Sequence, residues 1–244
     1  MKTATFSEGL FTGRHALVVG GTSGIGAAIA QAFADLGASV SVTGATAAEV
    51  EAVRGGCASA SVLDVRDDDA VRALVDRLPS LDFLVNCAGI IRRGAELDPA
   101  VFADVIDVNL SGTMRCCAAA REKLRASQGV IVNTASMLSF QGGGGIPGYS
   151  ASKGGVMQLT KSLAIAYAAD GVRVNAIAPG WVRTALTQPL QDDAARSAAV
   201  LARTPLGRWA DPADIAGAVL FLCSPAARFI TGIVLPIDGG YQAY

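Results

Sequence analysis

Histidine is almost absent from this sequence. His15 is the only one among 244 residues, so neither a His-based catalytic triad nor a His-rich metal site is expected. We predict that His15, directly before an apolar run, is structural, and that the protein holds no metal. The cysteines contain no Cys-x-x-Cys pair, which indicates buried thiols of a cytosolic protein rather than a disulfide framework. These cysteines are Cys57, Cys87, Cys116, Cys117 and Cys223.

Charge and long apolar runs are also scarce. Charged residues make up 17% of the chain and the formal net charge is −1, so nucleic acid and anionic membranes are not expected as partners. No apolar run approaches the roughly 20 residues that a membrane helix needs. Residues 1–13 lack the apolar core of a signal peptide. With 51% hydrophobic residues, the sequence predicts one globular, cytoplasmic domain over residues 1–244.

Short apolar runs alternate with helical patterns along the chain. This alternation predicts an α/β fold: a Rossmann-like, doubly wound sheet of about seven parallel strands with helices on both faces. In such a sheet, ligands bind beyond the carboxyl ends of the strands. The predicted strands are 15–20, 39–43, 58–63, 81–85, 129–135, 172–177 and 233–237. The predicted helices include 27–36, 47–54, 67–78, 101–125, one that carries Tyr149, and one with Asp211 as N-cap and Pro212 at its first position.

A glycine-rich loop, Gly20-Gly-Thr-Ser-Gly24-Ile-Gly26, lies between the first strand and the first helix. Glycines let the backbone approach a pyrophosphate, and the free N–H groups at a helix start attract its charge. An ordinary βα turn is the alternative, but the strand before the loop and the helix after it favour a dinucleotide site. The second strand ends in Gly44-Ala45-Thr46. It therefore lacks both the acid that binds a ribose 2′-hydroxyl and the arginine that binds a 2′-phosphate.

Tyr149 and Lys153 are four residues apart, so they share one face of a helix. A phenol with a pKa of about 10 is a poor acid–base catalyst near neutrality, and a nearby ammonium favours the phenolate. Ser136 precedes this pair and offers a hydroxyl to a substrate oxygen. The three side chains together suggest proton transfer to or from an alcohol.

Two features of the helical segments have more than one interpretation. The segment 184–203 is polar and alanine-rich, and we expect either a mobile helical lid or a static surface helix. Asn109 lies in the middle of the predicted helix 101–125, where a residue of modest helix propensity most simply occupies a solvated face.

The chain resembles the short-chain dehydrogenase/reductase family over residues 13–244. Two departures from the family pattern, Val19 in place of Thr and Cys87 in place of Asn, are expected to weaken hydrogen bonds that brace the cofactor loop. The matching motifs are Val19-Gly-x-x-x-Gly24-x-Gly26, Asp64-Val65, Asn86-Cys-Ala-Gly89, the set Asn109, Ser136, Tyr149 and Lys153, and Pro179-Gly180 with Thr184.

The resemblance implies a role for each residue of the catalytic set. Tyr149 is the general acid or base, and Lys153 lowers its pKa and contacts the nicotinamide ribose. Ser136 hydrogen-bonds the substrate oxygen, and Asn109 holds a water that links Lys153 to solvent. The implied cofactor contacts are Gly20, Thr22, Ser23, Gly24, Ile25, Gly26, Gly44, Asp64, Val65, Asn86, Ala88, Gly89, Tyr149, Lys153, Pro179, Gly180, Val182 and Thr184.

The resemblance further implies hydride transfer between a nicotinamide cofactor and a secondary alcohol or ketone. Members that prefer NADPH often carry a basic residue where this chain has Ser23 or Ala45, so we expect NAD, with NADP as the alternative. Three stretches, 88–93, 135–143 and 205–209, are most similar to bacterial sugar-acid dehydrogenases of the deoxygluconate type. We therefore expect a sugar acid, sugar or small hydroxy acid as the substrate. Candidate substrate contacts are Arg92 or Arg93 with a carboxylate and Gln141 with a hydroxyl, unless both arginines are solvated and pair with acids.

Two other functions are alternatives to oxidation of a hydroxy acid or sugar. One is a 3-oxoacyl-carrier-protein reductase, and the other is a non-catalytic dinucleotide-binding scaffold or sensor. Members of the family are commonly homotetramers or homodimers, joined through the helices around Asn109 and after Tyr149. Apolar residues on these helices are candidates for that interface, although all of them could equally be core: Val105, Met114, Cys117, Val156, Leu159 and Leu163.

Overall fold

A seven-stranded parallel sheet forms the centre of the molecule, with strand order β3-β2-β1-β4-β5-β6-β7. The computed structural model describes residues 5–53 and 58–243. The Rossmann-like, doubly wound sheet that the sequence predicts is confirmed, because the order reverses between β1 and β4 and helices cover both faces. The strands are β1 His15–Val19, β2 Ser39–Gly44, β3 Ser59–Val62, β4 Phe83–Asn86, β5 Val130–Thr134, β6 Arg173–Pro179 and β7 Val234–Ile237.

Helices form a layer on each side of the sheet. On one side, Phe33 of α1 and Val219 of α9 are fully buried against the strands. On the other, Val71 of α3 and Leu124 of α5 are buried in a second core. Burial of each such side chain contributes about 1.5–3 kcal/mol. The helices are α1 Gly24–Asp35, α2 Ala47–Glu51, α3 Asp68–Arg77, α4 Pro99–Ile106, α5 Gly112–Ser127, α6 Pro147–Ala166, α7 Gln188–Gln191, α8 Ala194–Ala202 and α9 Pro212–Cys223.

The long helix predicted over 101–125 is interrupted. A π-helical turn, Asp107–Ser111, separates α4 from α5. The wider turn directs Asn109 into the protein, where it is 0% exposed, so the expectation of a solvated face is wrong. Gly112 is the first residue of α5, and a larger residue would crowd Val65 there, because a Cβ would lie 2.6 Å from Cγ2 of Val65.

Smaller differences concern the ends of elements and the segment 184–203. The helix predicted over 47–54 ends at Glu51, and Arg54 and Cys57 lie outside the described residues. The segment 184–203 forms two helices, α7 and α8, instead of one. Asp211 is the N-cap of α9 with Pro212 in its first turn, as predicted. None of the described helices combines the length and apolar character required to cross a membrane.

The apolar residues offered as a subunit interface lie mainly within the chain. Val105, Cys117, Val156 and Leu163 are buried, and Leu159 packs against the core. Met114 alone of the six is exposed, at 38%. Five of the six side chains therefore belong to the core, and the homo-oligomer stays a prediction without their support.

Candidate active site

Two adjoining cavities open at the carboxyl edge of the sheet. The larger has a volume of about 540 Å³ and lies over the glycine loop. The smaller, of about 350 Å³, contains Tyr149 and Ser136. Ile25, Thr184 and Leu186 line both cavities, so the two cavities share part of their wall. We call them the dinucleotide cavity and the substrate cavity.

The glycine loop forms the floor of the dinucleotide cavity. A Cβ on Gly26 would lie 2.1 Å from the carbonyl oxygen of Gly20, so only glycine permits this close turn. Ser23 is the N-cap of α1 but makes no side-chain capping bond, which leaves the first-turn N–H groups open to an anion. This cradle of backbone donors fits the pyrophosphate of a dinucleotide.

The loop is braced despite the two departures from the family pattern. Val19 offers no hydroxyl, but Thr43 on β2 accepts a hydrogen bond from the Gly20 N–H at 3.1 Å. Cys87 accepts one from the Thr134 hydroxyl at 3.5 Å. The hydrogen bond from Gly20 to Thr43 on the neighbouring strand therefore compensates for the hydrogen bond that Val19 was expected to remove.

An acidic side chain lies at the end of β2 after all. The carboxylate of Glu49, on α2, accepts a hydrogen bond from the Ala45 N–H at 2.8 Å. One of its oxygens is 3.0 Å from where a Cβ on Gly44 would be, and both residues line the dinucleotide cavity. Gly44-Ala45-Thr46 alone gives no sign of this group, because the carboxylate belongs to Glu49, four residues after Ala45, and α2 brings it back beside Gly44.

The phenol of Tyr149 lies beside the Ser136 hydroxyl in the substrate cavity. Ser136 follows β5 and caps a short 3₁₀ turn, accepting a hydrogen bond from the Leu138 N–H at 3.1 Å. Burial raises the pKa of Tyr149, while the hydrogen bond of Ser136 and the charge of Arg93 act in the opposite direction. A hydroxyl and a phenol thus converge where a substrate oxygen would bind.

The ammonium of Lys153 lies near the ring of Tyr149, and its effect on the pKa of that phenol stays a prediction. The ammonium donates a hydrogen bond to the Thr134 carbonyl at 2.6 Å and lies 5.6 Å from the centre of the Tyr149 ring. Lys153 is 4% exposed, and burial lowers its pKa to about 8. The groups that favour the phenolate are Ser136 and Arg93.

Asn109 connects the loop after β4 to the catalytic helix. Its amide accepts a hydrogen bond from the Ile90 N–H at 2.8 Å and donates to the Ile90 carbonyl at 2.9 Å and to Ser152 at 3.0 Å. Its side chain therefore holds two segments of the site together. The water relay through Asn109 stays a prediction.

Glu96 is a buried carboxylate that the sequence analysis missed. It is 1% exposed. One oxygen accepts a hydrogen bond from the Arg92 N–H and the other from the Tyr149 N–H, each at 2.7 Å. Its charge lies at the first turn of α6, where the helix dipole favours an anion. Glu96 thus joins the loop that carries Arg92 and Arg93, which we call the arginine loop, directly to Tyr149, the residue that carries the phenol.

The two candidate substrate arginines separate in space. Arg93 lines the substrate cavity together with Gln141. Arg92 lines the dinucleotide cavity instead. Two further residues of the substrate cavity were not foreseen, Arg203 and Tyr241, and the Arg203 guanidinium lies 4.4 Å from the centre of the Tyr241 ring.

Most of the remaining sequence candidates line the two cavities. Asn86 does not, because its side chain is buried in the sheet, where it donates to Asn133 at 2.9 Å. In residues 5–53 and 58–243, no group of three or more acidic, His or Cys side chains could hold a metal ion. The dinucleotide cavity is lined by Gly20, Thr22, Ser23, Gly24, Ile25, Gly26, Gly44, Asp64, Val65, Ala88, Gly89 and Thr184. Pro179, Gly180 and Val182 line the substrate cavity.

Known proteins are similar in sequence to this one over nearly its full length. A family model described as enoyl-(acyl carrier protein) reductase matches residues 19–242. A cis-4-hydroxycyclohexanecarboxylate dehydrogenase of Sinomonas cyclohexanicum is 43% identical, over 96% of this chain and 98% of its own. A 2-dehydro-3-deoxy-D-gluconate 5-dehydrogenase of Pseudoalteromonas atlantica is 41% identical, over 94% of this chain and 96% of its own.

A solved structure adds a bound ligand to the comparison. The gluconate 5-dehydrogenase of Burkholderia cenocepacia, in complex with NADP and tartrate, is 34% identical and superposes with a TM-score of 0.89, covering 96% of each chain. Family and fold agree with the two cavities and with the glycine loop between β1 and α1. The chain belongs to the short-chain dehydrogenase/reductase family and is an NAD(P)-dependent oxidoreductase that interconverts a secondary alcohol and a ketone.

Proposed function

We propose that this enzyme oxidises the secondary alcohol of a small hydroxy acid, sugar acids included, or reduces the corresponding oxo acid. The observation that carries the proposal is the composition of the substrate cavity. It places Tyr149 and Ser136 beside two arginines, and no acidic side chain of the described chain lines it. A carboxylate is the substrate group that such arginines bind best.

The proposed roles follow from the geometry. Ser136 holds the substrate oxygen, and Tyr149 takes the hydroxyl proton during oxidation or returns it during reduction. The positive charge of Arg93 and the hydrogen bond of Ser136 favour the phenolate that this step requires. Lys153, on the same face of α6, supplies a buried ammonium beside the cavities. The nicotinamide dinucleotide, when bound, supplies the hydride acceptor or donor.

The relatives support the acidic substrate class. The two enzymes named above act on a cyclohexanecarboxylate and on a gluconate derivative, which share a carboxylate and differ in the rest of the molecule. A 3-oxoacyl-carrier-protein reductase is the second candidate from the sequence, and no feature of the substrate cavity favours it. A cytoplasmic location and a homotetramer or homodimer belong to the proposal, and sedimentation velocity tests the assembly.

Arg93→Gln is expected to raise KM for an acidic substrate by about tenfold or more, since a charge-assisted hydrogen bond contributes about 1.5–3 kcal/mol. Steady-state kinetics over sugar acids, hydroxy acids and uncharged polyols measure it. Arg92→Gln is the matched control for the effect on substrate binding, because Arg92 is on the same loop but lines the dinucleotide cavity. Equal effects of Arg93→Gln on charged and uncharged substrates would refute the carboxylate role.

We further infer a preference for NAD. The Glu49 carboxylate beside Gly44 accepts hydrogen bonds, so it suits the ribose 2′-hydroxyl and repels a 2′-phosphate. Arg66, which follows β3, lines the same cavity and could in principle bind a 2′-phosphate. Its guanidinium is already paired with Asp64 at 2.7 Å and with Asp104 at 2.8 Å.

Glu49→Gln is expected to lower the ratio of kcat/KM for NAD to kcat/KM for NADP by about tenfold, which corresponds to 1.4 kcal/mol. Initial rates with both cofactors give this ratio. Glu122→Gln removes the same charge from an exposed pair with Arg125 on α5 and is expected to leave the ratio unchanged. A wild-type enzyme that already prefers NADP would disprove the inference.

A further inference from the structure

The substrate cavity carries positive charge and no negative charge. Arg93 reaches it from the loop after β4, and Arg203 reaches it from the end of α8. Neither guanidinium forms an ion pair with any acid of the described residues. Arg196, also on α8, differs in this respect because it pairs with Asp193 at 3.3 Å. The two arginines of the cavity are thus available to an anion.

Arg203 is held in place by an aromatic ring rather than by an acid. Its guanidinium lies 4.4 Å from the centre of the Tyr241 ring, a cation–π contact that leaves its N–H groups without a carboxylate partner. Tyr241 is buried and packs edge-on against Trp181, which lines the same cavity. A stacked, planar donor of this kind suits a carboxylate.

Most of the other large side chains in the wall are apolar. Apart from Tyr149, Ser136 and the arginines, the side chains that could bond a substrate hydroxyl are few. Gln141 offers an amide, Thr184 a hydroxyl and Trp181 a buried indole N–H without a partner among the described residues, whereas the Thr187 hydroxyl is committed to the Val182 carbonyl at 2.6 Å. A hydroxyl buried without a partner weakens binding by about tenfold or more. The apolar residues are Ile25, Ile91, Met137, Leu138, Ile146, Val182 and Leu186.

We infer that the substrate is a hydroxy acid with a compact apolar body, such as an alicyclic ring, whose carboxylate is bound by Arg93 and Arg203. This inference rests on the proposed oxidation of a hydroxy acid and narrows its substrate class. A polyhydroxylated chain would lose the hydration of several hydroxyls in a cavity where, beyond Tyr149 and Ser136, the uncharged side-chain partners are few: Gln141, Thr184 and the Trp181 indole. A ring without those hydroxyls incurs no such loss, and a cavity of about 350 Å³ accommodates it.

The test compares three alcohols with the wild-type enzyme: cis-4-hydroxycyclohexanecarboxylate, its methyl ester and gluconate. We expect kcat/KM for the alicyclic acid to exceed that for each of the other two by about tenfold or more. Arg203→Gln should raise KM for the acid by about tenfold and leave the ester unaffected. Arg196→Gln, the matched control on α8, should change neither.

The outcomes separate the inference from the function on which it rests. Better turnover of gluconate than of the alicyclic acid overturns the apolar substrate class and leaves the proposed function standing. An equal effect of Arg203→Gln on acid and ester overturns the role of Arg203. Failure of the wild-type enzyme to oxidise either acid, with dinucleotide binding intact, overturns both the inference and the proposed function.

Discussion

Tyr149→Phe is expected to lower kcat by about 100- to 10,000-fold while the dinucleotide still binds, because general acid–base catalysis contributes about that much. The substitution removes one oxygen from a side chain that lies between Ser136 and the arginine loop, and it leaves the ring in place. Stopped-flow or steady-state rates measure kcat, and quenching of protein fluorescence measures the dissociation constant of the cofactor.

Tyr167→Phe is the matched control for this experiment. Tyr167 caps the other end of α6, is buried, and lines neither of the two cavities. Its substitution should leave kcat unchanged. A Tyr149→Phe enzyme that keeps more than a tenth of the wild-type kcat would show that another group transfers the proton. A wild-type protein that binds dinucleotide but oxidises or reduces nothing would instead support the sensor alternative.

Gly26→Ala is expected to raise the dissociation constant of the dinucleotide by at least about tenfold. The new Cβ would lie 2.1 Å from the Gly20 carbonyl oxygen and 2.9 Å from its carbon. Both atoms belong to backbone, so the loop has to move away from α1 and its N–H groups lose their alignment. The crowding should also lower the free energy of unfolding by about 1–3 kcal/mol. Isothermal titration and chemical denaturation measure the two effects.

Gly154→Ala serves as the comparison, because it also adds a methyl group to a helix. The nearest atom to its Cβ is the Ser139 carbonyl oxygen at 3.9 Å, an ordinary contact. This variant should bind dinucleotide normally and be more stable by about 0.5–1 kcal/mol, the helix preference for alanine. If both variants bind dinucleotide like the wild type, the close approach at Gly26 has no part in holding the cofactor.

The order of strands and helices and the glycine loop were predictable because they depend on neighbours in the sequence. The run 15–20 and the glycines after it reveal a buried strand and a βα turn without knowledge of the rest of the chain. Tyr149 and Lys153 were placed on one helix face by their spacing alone. The direction of the Lys153 ammonium was not predictable, because the Thr134 carbonyl that it bonds comes from another strand.

The groups that sequence reasoning missed all act across the fold. The Glu49 carboxylate lies at the end of β2, Glu96 bonds the Tyr149 backbone at the start of α6, and Arg203 reaches the substrate cavity from α8. Each placement depends on tertiary packing, which overrides the local preferences that a sequence displays. The inward placement of Asn109 had one indication in the sequence. Asn is a mediocre helix former, and a residue whose local preference disagrees with its helix often belongs to a functional site.

The carboxylate of Glu96 has a consequence for redesign of this enzyme. Because it bonds the Arg92 and Tyr149 backbones at once, the loop that recognises substrate and the helix start that carries the phenol share one support. Substitutions made in the two segments are therefore expected to be non-additive, with interaction energies of about 0.5–3 kcal/mol. A laboratory evolution experiment that alters substrate range through the loop would be expected to require compensating changes near Tyr149, with Glu96 retained throughout.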